Sequence, residues 1–235
     1  MLPFAELFPI VDKVQNHNGF VALTSLFYPK YCYHFVQQMY DDKPKLKGCM
    51  SDVHKYDLES NVFDLMPGAF LEQKPKDGTV YASIYGRTGN KRVAKYIEQK
   101  YITYPENYDF YKVFVAISNG SGSYGEVLSS PFVGAPKEGN TVTFLSIGKF
   151  ENKIDAMNLQ KYLGTKFLRA LLNALKITQH NPAPVWSLIP IQDFSPSSEI
   201  DWSKPIPHID QQLYRKYGLT DEEIAFIETH VKEMT

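Results

Sequence analysis

A cluster of basic residues between Arg87 and Lys95 has the composition of a phosphate-binding surface. The stretch GRTGNKRVAK holds Arg87, Lys91, Arg92 and Lys95, and tyrosines occur at positions 81, 85, 96 and 101. Guanidinium and ammonium groups neutralise the phosphate backbone of nucleic acids, and neighbouring tyrosines and glycines suit such a surface. We therefore expect these four cations to hold phosphates, and the competing interpretation is an ordinary solvated surface.

A second basic set recurs at helical spacing. Lys166, Arg169, Asn173 and Lys176 are three, four and three residues apart, so a helix would place them on one face, opposite a row of leucines. Lys166, Arg169 and Lys176 are candidates for phosphate contacts or for contact with a catalytic domain. Two alternatives remain open: the helix docks a partner subunit without touching DNA, or both faces are buried and the cations pair with the acidic C-terminal tail.

Polar residues near this helix and in a glycine-rich loop are candidates for contacts in a DNA groove. The loop NGSGSYGE follows an apolar run, and its glycines allow close approach of the backbone. The candidates in the loop are Asn119, Ser121, Ser123 and Tyr124. Gln179 and His180, in the segment TQHN, are second candidates for base edges, because Gln and Asn side chains pair bidentately with adenine.

Motifs for metal, nucleotide or nucleophilic chemistry are missing from the sequence. The histidines at 17, 34, 54, 180, 208 and 230 form neither HxxxH nor HExxH, and no GxxxxGK[ST] or GxSxG motif occurs. We therefore expect no catalytic residue, no metal ligand and no cofactor in this chain. One enzymatic alternative, a cryptic Mg²⁺-dependent nuclease, rests on Glu-x-Lys triplets that start at Glu72, Glu98 and Glu151.

Composition points to a folded chain without global positive charge. Of 235 residues, 43% are hydrophobic and 22% charged, and the net charge is −1. From Gln192 onward, nine acidic side chains face four basic ones, so this tail is strongly acidic and the remainder is mildly basic. Only Cys32 and Cys49 occur, and there is neither a signal-peptide pattern nor a long apolar run, so we expect a cytoplasmic protein without a membrane span.

Hydrophobic periodicity predicts the elements that position these residues. Strands are expected at 79–87, 111–118 and 141–148, and the segment after the GRTGN turn is a helix or a second strand. Helices are expected at 33–40, at 152–176 with a kink or division at Gly164, and at 209–217. Thr220 and Glu223 form a capping box that begins a last helix.

These elements predict an α+β fold with a curved, mixed β-sheet, packed by one long amphipathic helix and by C-terminal helices. We expect one domain over residues 1–235, in which residues 1–75 are a loosely assigned N-terminal part. Residues 193–235 form a C-terminal strap and helices.

The region from Tyr111 to Met234 resembles the C-terminal part of known bacterial proteins. The segments YKVFVAISNGSG, TKFLRALL, KITQ, IPIQDFS, LYRKYGL and EEIAFIE carry the resemblance. They are similar to the target-recognition region of type II restriction-modification adenine-specific DNA methyltransferases, which are sometimes fused to a nuclease. Residues 80–97 resemble that family more loosely.

The resemblance implies a sequence-specific recognition domain for double-stranded DNA. Its methyltransferase catalytic domain, absent from this sequence, would act in cis or in trans. S-adenosylmethionine, with Mg²⁺ as a further candidate, would belong to the parent protein. The chain is thus expected to be a fragment or a free-standing specificity piece, without catalysis of its own.

Overall fold

The computed structural model describes residues 4–118, 123–126, 128–175, 180 and 182–234. The chain groups into two compact units, and each unit combines segments that are distant in sequence. Unit 1 comprises residues 1–27, 115–133 and 152–235, and unit 2 comprises residues 28–114 and 134–151. The expectation of a single domain over residues 1–235 stays a prediction.

Helices and strands are both well represented, which confirms the α+β class. The α-helices are α1 (Leu7–Gln15), α2 (Gln37–Asp42), α3 (Val62–Leu65), α4 (Lys153–Gly164), α5 (Lys166–Leu175), α6 (Ile206–Lys216) and α7 (Asp221–His230). The strands are β1 (His34–Phe35), β2 (Tyr81–Thr88), β3 (Lys91–Glu98), β4 (Ile102–Thr103), β5 (Tyr111–Ala116), β6 (Phe132–Gly134), β7 (Glu138–Asn140) and β8 (Phe144–Phe150). None of the helices among the described residues is both long and apolar enough to cross a bilayer.

Over the residues that the structure describes, the strands form three small sheets, in the orders β1-β4, β3-β2-β7 and β6-β5-β8. In the sheet β3-β2-β7, strand β2 pairs with β3 in antiparallel fashion and with β7 in parallel fashion, so this sheet is mixed as expected. Small separate sheets take the place of the single curved sheet that the pattern suggested. The segment after the GRTGN turn is the strand β3, which resolves the alternative left open by the sequence.

Unit 2 is held by an aromatic-rich core. The inward side chains of β2 and β3, including Ala82, Ile84 and Ile97, join a buried cluster with Phe63 and Phe70. The rings of Phe63 and Phe70 lie edge to face, with centroids 4.7 Å apart. Burial of such side chains contributes about 2 kcal/mol each and fixes which side of the β2–β3 hairpin faces inward.

Unit 1 is a helical assembly with α5 at its centre. Helix α5 packs against α1, α4, α6 and α7, and every residue from Phe167 to Ala174 is buried. The expected helix over 152–176 is two helices, because the chain is extended at Thr165. The Thr165 hydroxyl donates to the Tyr162 carbonyl (2.7 Å) and accepts from the Leu168 amide (3.2 Å), so it satisfies backbone groups of both helices.

The C-terminal helices follow the sequence signals closely. Thr220 and Glu223 form the expected capping box at the start of α7. Helix α6 begins at Ile206, three residues earlier than expected, with Pro205 before it and Pro207 in its first turn. The segment 33–40, expected to be helical, holds the short strand β1 and the first four of the six residues of α2.

Candidate nucleic-acid interface

The end of the β2–β3 hairpin brings three cations together. Arg87 is directly opposite Arg92 in the antiparallel register, and Thr88 is opposite Lys91. Only Gly89 and Asn90 connect the strands, and Gly89 has a φ of +53°. A two-residue hairpin turn of this kind needs a positive φ at its first position, which explains the glycine.

The turn is fixed to helix α3 by hydrogen bonds. The Gly89 amide donates to both carboxylate oxygens of Asp64, at 3.3 and 3.2 Å. The Arg87 guanidinium donates to the Gly89 carbonyl at 2.7 Å. These bonds hold the backbone of the turn and the Arg87 side chain in place.

The hairpin end concentrates positive charge at the surface. Lys91 and Arg92 are exposed and Arg87 is half-buried. No carboxylate in the described ranges lies within ion-pairing distance of Arg87 or Lys91, and the Arg92 guanidinium lies 5.8 Å from the Phe144 ring centroid. Arg87 and Arg92 thus place two like charges directly opposite each other on the sheet.

Strand alternation distributes the cations over both faces of the hairpin. Arg87 and Arg92 share a face with Tyr85 and Tyr96, which are half-buried, whereas Lys91 lies on the opposite face. The face of Lys91 is the inward one, with Ile84 and Lys95, and Lys91 is exposed because it lies at the end of the ribbon. Burial, with the nearby Glu138 carboxylate as a smaller cause, raises the pKa of Tyr85, so its ring stays neutral at physiological pH.

Lys95 does not belong to this exposed group, although the sequence placed it there. It pairs with Ile84 on the inward face and is only 7% exposed. Its ammonium group forms an ion pair with Glu72 at 2.7 Å and lies 5.4 Å from the Phe63 ring centroid. The predicted phosphate contact by Lys95 is therefore wrong, and the role of this residue is structural. Its side chain is buried because alternate residues of β3 point toward the core.

The basic face of α5 is also occupied within the chain. Arg169 is 1% exposed, and its guanidinium donates to the Lys232 carbonyl at 2.6 Å. Lys166 forms an ion pair with Glu228 of α7 at 2.6 Å. The alternative in which both helix faces are buried and the cations pair with the acidic tail fits Lys166. Arg169 is also buried, but its partner is a backbone carbonyl of that tail. Arg169 is therefore closed to solvent, and Lys166 is half-buried in its ion pair.

Burial shapes the electrostatics around Arg169. Desolvation lowers the pKa of Arg169, and the nearby Asp210 carboxylate opposes this shift. Asp210 of α6 accepts hydrogen bonds from the amides of Lys166 (3.1 Å) and Phe167 (2.9 Å) at the start of α5. Burial raises the pKa of Asp210 to about 6 despite these bonds. The cations of α5 thus belong to a buried polar network in unit 1.

The remaining predicted contacts have mixed outcomes. Tyr124 packs its ring against Phe4 and Phe226, with centroids 5.0 and 6.0 Å away, so it has an internal role instead of a groove contact. Ser123 is exposed, and His180 is exposed with Nδ1 2.6 Å from the Ser118 hydroxyl. The groove contact by Ser123 and the base contact by His180 stay predictions. Asn119, Ser121, Lys176 and Gln179 lie outside the described residues.

Two of the Glu-x-Lys triplets behind the nuclease alternative have their glutamate in an ion pair, and that alternative stays a prediction. Glu98 is paired with Lys100 at 2.9 Å, and Glu72 is paired with Lys95. Over the described ranges, the group of side chains that could hold a metal ion is His54, Asp57 and Glu59, whose ligand atoms lie within 4.8 Å of one another. The sequence signal for this group is the segment H-x-x-D-x-E, whose spacing differs from HxxxH and HExxH.

Comparison of the chain with protein-family models, with curated proteins and with solved structures gave no match.

Proposed function

We propose that unit 2 binds double-stranded DNA through the end of the β2–β3 hairpin. In this proposal the chain is the target-recognition part of an adenine-specific restriction-modification methyltransferase, whose catalytic domain acts in cis or in trans. The observation that carries the proposal is the displayed trio Arg87, Lys91 and Arg92, with two of its cations directly opposite each other in the sheet.

The shape of the hairpin suits a duplex. The major groove of B-DNA, about 12 Å wide, admits a two-stranded β-ribbon, and phosphates line it on both sides. The ribbon carries Arg87 and Arg92 on its outward face and Lys91 at its exposed end, so the cations can contact phosphates from the tip of the hairpin. Phosphate contacts of this kind position a protein on DNA but carry no sequence information by themselves.

Asn90 is a candidate for base recognition at the same place. It occupies the turn between Gly89 and Lys91 and is exposed. An asparagine amide can donate to N7 and accept from N6 of adenine in the major groove, which matches an adenine-specific enzyme. Asn90 thus adds a base contact to the phosphate contacts expected from the sequence.

The charge of the two units is consistent with this assignment. Unit 2 carries 15 lysines and arginines and 13 acidic residues, whereas unit 1 carries 10 and 13. An anionic partner is therefore favoured by unit 2 more than by unit 1.

The test is a fluorescence-polarisation titration of a labelled DNA duplex with the wild-type chain and a Lys91→Ala/Arg92→Ala double variant. Since two phosphate contacts are removed, affinity should fall at least about ten-fold at low salt, equally for all sequences. The matched control is Lys153→Ala/Lys232→Ala, which removes two exposed lysines from unit 1 and should leave affinity unchanged.

Asn90→Ala should behave differently from the double variant. It should lower the ratio of specific to random-duplex affinity while changing random-duplex affinity little. A specific duplex can be found by selection from a random pool with the wild-type chain. Equal affinity of wild type and the Lys91→Ala/Arg92→Ala variant would reject the hairpin as the binding surface.

A further inference from the structure

We infer that unit 2 holds a divalent metal ion of the zinc class at His54, Asp57 and Glu59. This inference uses none of the hairpin residues and does not depend on DNA binding. The His54 Nδ1 atom lies 2.9 Å from Asp57 Oδ2 and 3.4 Å from Glu59 Oε1. A tetrahedral ion with ligands about 2.1 Å away separates those ligands by about 3.4 Å, so small side-chain adjustments would bring three donors to one ion.

The backbone around the three donors is fixed by hydrogen bonds. The Asp57 amide donates to the His54 carbonyl at 2.9 Å and closes a tight turn that sets the two side chains together. The turn is tied to β1, because Asp57 forms an antiparallel bridge with His34 and the Phe35 amide donates to the Tyr56 carbonyl at 2.7 Å. A site on such a turn is pre-organised, which lowers the cost of ion binding.

Outer side chains hold both carboxylates in place. His34 Nδ1 lies 3.1 Å from Asp57 Oδ1, so the two oxygens of Asp57 face different histidines. The Tyr31 hydroxyl donates to Glu59 Oε1 at 2.9 Å. Carboxylate ligands in metal sites are commonly oriented by such second partners. His34 and Tyr31 are therefore positioning residues.

The donor set selects the class of ion. One imidazole nitrogen with two carboxylate oxygens suits Zn²⁺, whereas Mg²⁺ and Ca²⁺ prefer oxygen donors alone. The Asp57 and Glu59 side chains are 18% and 21% exposed and that of His54 is 44% exposed, so an ion could enter from solvent on the imidazole side. With three protein ligands, the fourth position of a tetrahedral ion is left for water or another ligand.

The experiment is calorimetric titration of the untagged chain with ZnCl₂, after treatment with a chelator. We expect one Zn²⁺ per chain for the wild type. His54→Ala should weaken binding more than about 100-fold, and His34→Ala about ten-fold, because loss of an outer partner has the smaller effect. His208→Ala, which removes an exposed histidine of α6, should bind as the wild type does.

Glu59→Gln tests the site without changing side-chain shape, in case His54→Ala fails to fold by circular dichroism. This variant should also lose at least about ten-fold in Zn²⁺ affinity, and MgCl₂ should give no comparable heat with the wild type. The inference is overturned if the wild type binds no stoichiometric Zn²⁺, or if Glu59→Gln binds it as tightly as the wild type does.

Discussion

The hairpin end of unit 2 and helix α5 of unit 1 both concentrate basic side chains, but the structure uses them in different ways. Arg87, Lys91 and Arg92 lie at the end of a two-stranded ribbon, and the latter two are exposed. Arg169 is buried in α5, and Lys166 is paired with Glu228. Clustered basic side chains are therefore exposed to solvent at the hairpin end, whereas in α5 they form contacts within the folded chain.

The difference follows from what covers each element. The hairpin turn is bonded to α3 through its backbone, but residues 88–92 at its end are exposed to solvent. Helix α5 is surrounded by α1, α4, α6 and α7, and the polar side of the helix meets the C-terminal segment. A spacing rule finds the residues that share a helix face, but it does not tell whether another segment of the chain covers that face.

Removal of the buried cation should give the largest effect on stability. Arg169→Ala leaves a cavity and an unpaired Lys232 carbonyl, so the free energy of unfolding should fall by about 4 kcal/mol. Urea denaturation followed by circular dichroism measures this loss. Lys91→Ala, by comparison, should change stability by no more than about 0.5 kcal/mol. Equal stability losses for the two variants would remove the distinction between the buried and the displayed cations.

The pH dependence of stability should report the buried network around α5. The pKa of Asp210 is about 6 in the folded chain against an ordinary value of 3.8, so the folded state takes up a proton first as the pH falls. Stability from this group should therefore rise as the pH falls from about 6 to about 4 and be lost as the pH rises through 6, by about 3 kcal/mol in total.

Denaturation of the wild type and of Asp210→Asn at a series of pH values isolates this contribution. The variant cannot titrate at position 210. The free energy of unfolding of the wild type minus that of the variant should therefore increase as the pH falls from about 6 to about 4. A difference that is constant between pH 4 and 7 would contradict the raised pKa.

Lys91 and Lys95 both belong to β3, and their variants give the comparison with the smallest expected effects. Lys95→Met should keep DNA affinity within about two-fold and change stability by less than about 1 kcal/mol, because the Met side chain fills the same space and Glu72, 76% exposed, returns to water. Lys91→Met on the same strand should lower affinity about three-fold at 0.2 M salt. Polarisation titrations of both variants measure the contrast. An equal loss of affinity for the two variants would place Lys95 in the binding surface after all.

Several of these structural features could be predicted from the sequence. The strands β2, β5 and β8 follow from alternation and apolar runs, and the capping box marks the start of α7. The inward position of Lys95 could have been read from Val93 and Ile97, which flank it at a spacing of two. The division between α4 and α5 had a signal too, because Thr165 is a favoured residue at the start of a helix.

Other features depend on contacts between segments that no local pattern specifies. The burial of Arg169 requires the C-terminal chain to pass over α5, some sixty residues later in the sequence. The cluster around Asp57 requires β1 to pair with a turn twenty residues away. The hydrophobic period reports which side chains are buried within an element, whereas these arrangements are set by how the elements pack together.

The salt dependence of duplex binding tests the central claim most directly. Three phosphate contacts by Arg87, Lys91 and Arg92 predict that log affinity falls against log salt with a slope of about −2.7, and removal of two contacts predicts about −0.9. Titrations of the wild type and the Lys91→Ala/Arg92→Ala variant between 50 and 200 mM salt give both slopes. A clearly flatter slope for the variant is the predicted result, and parallel slopes would contradict DNA binding by the hairpin.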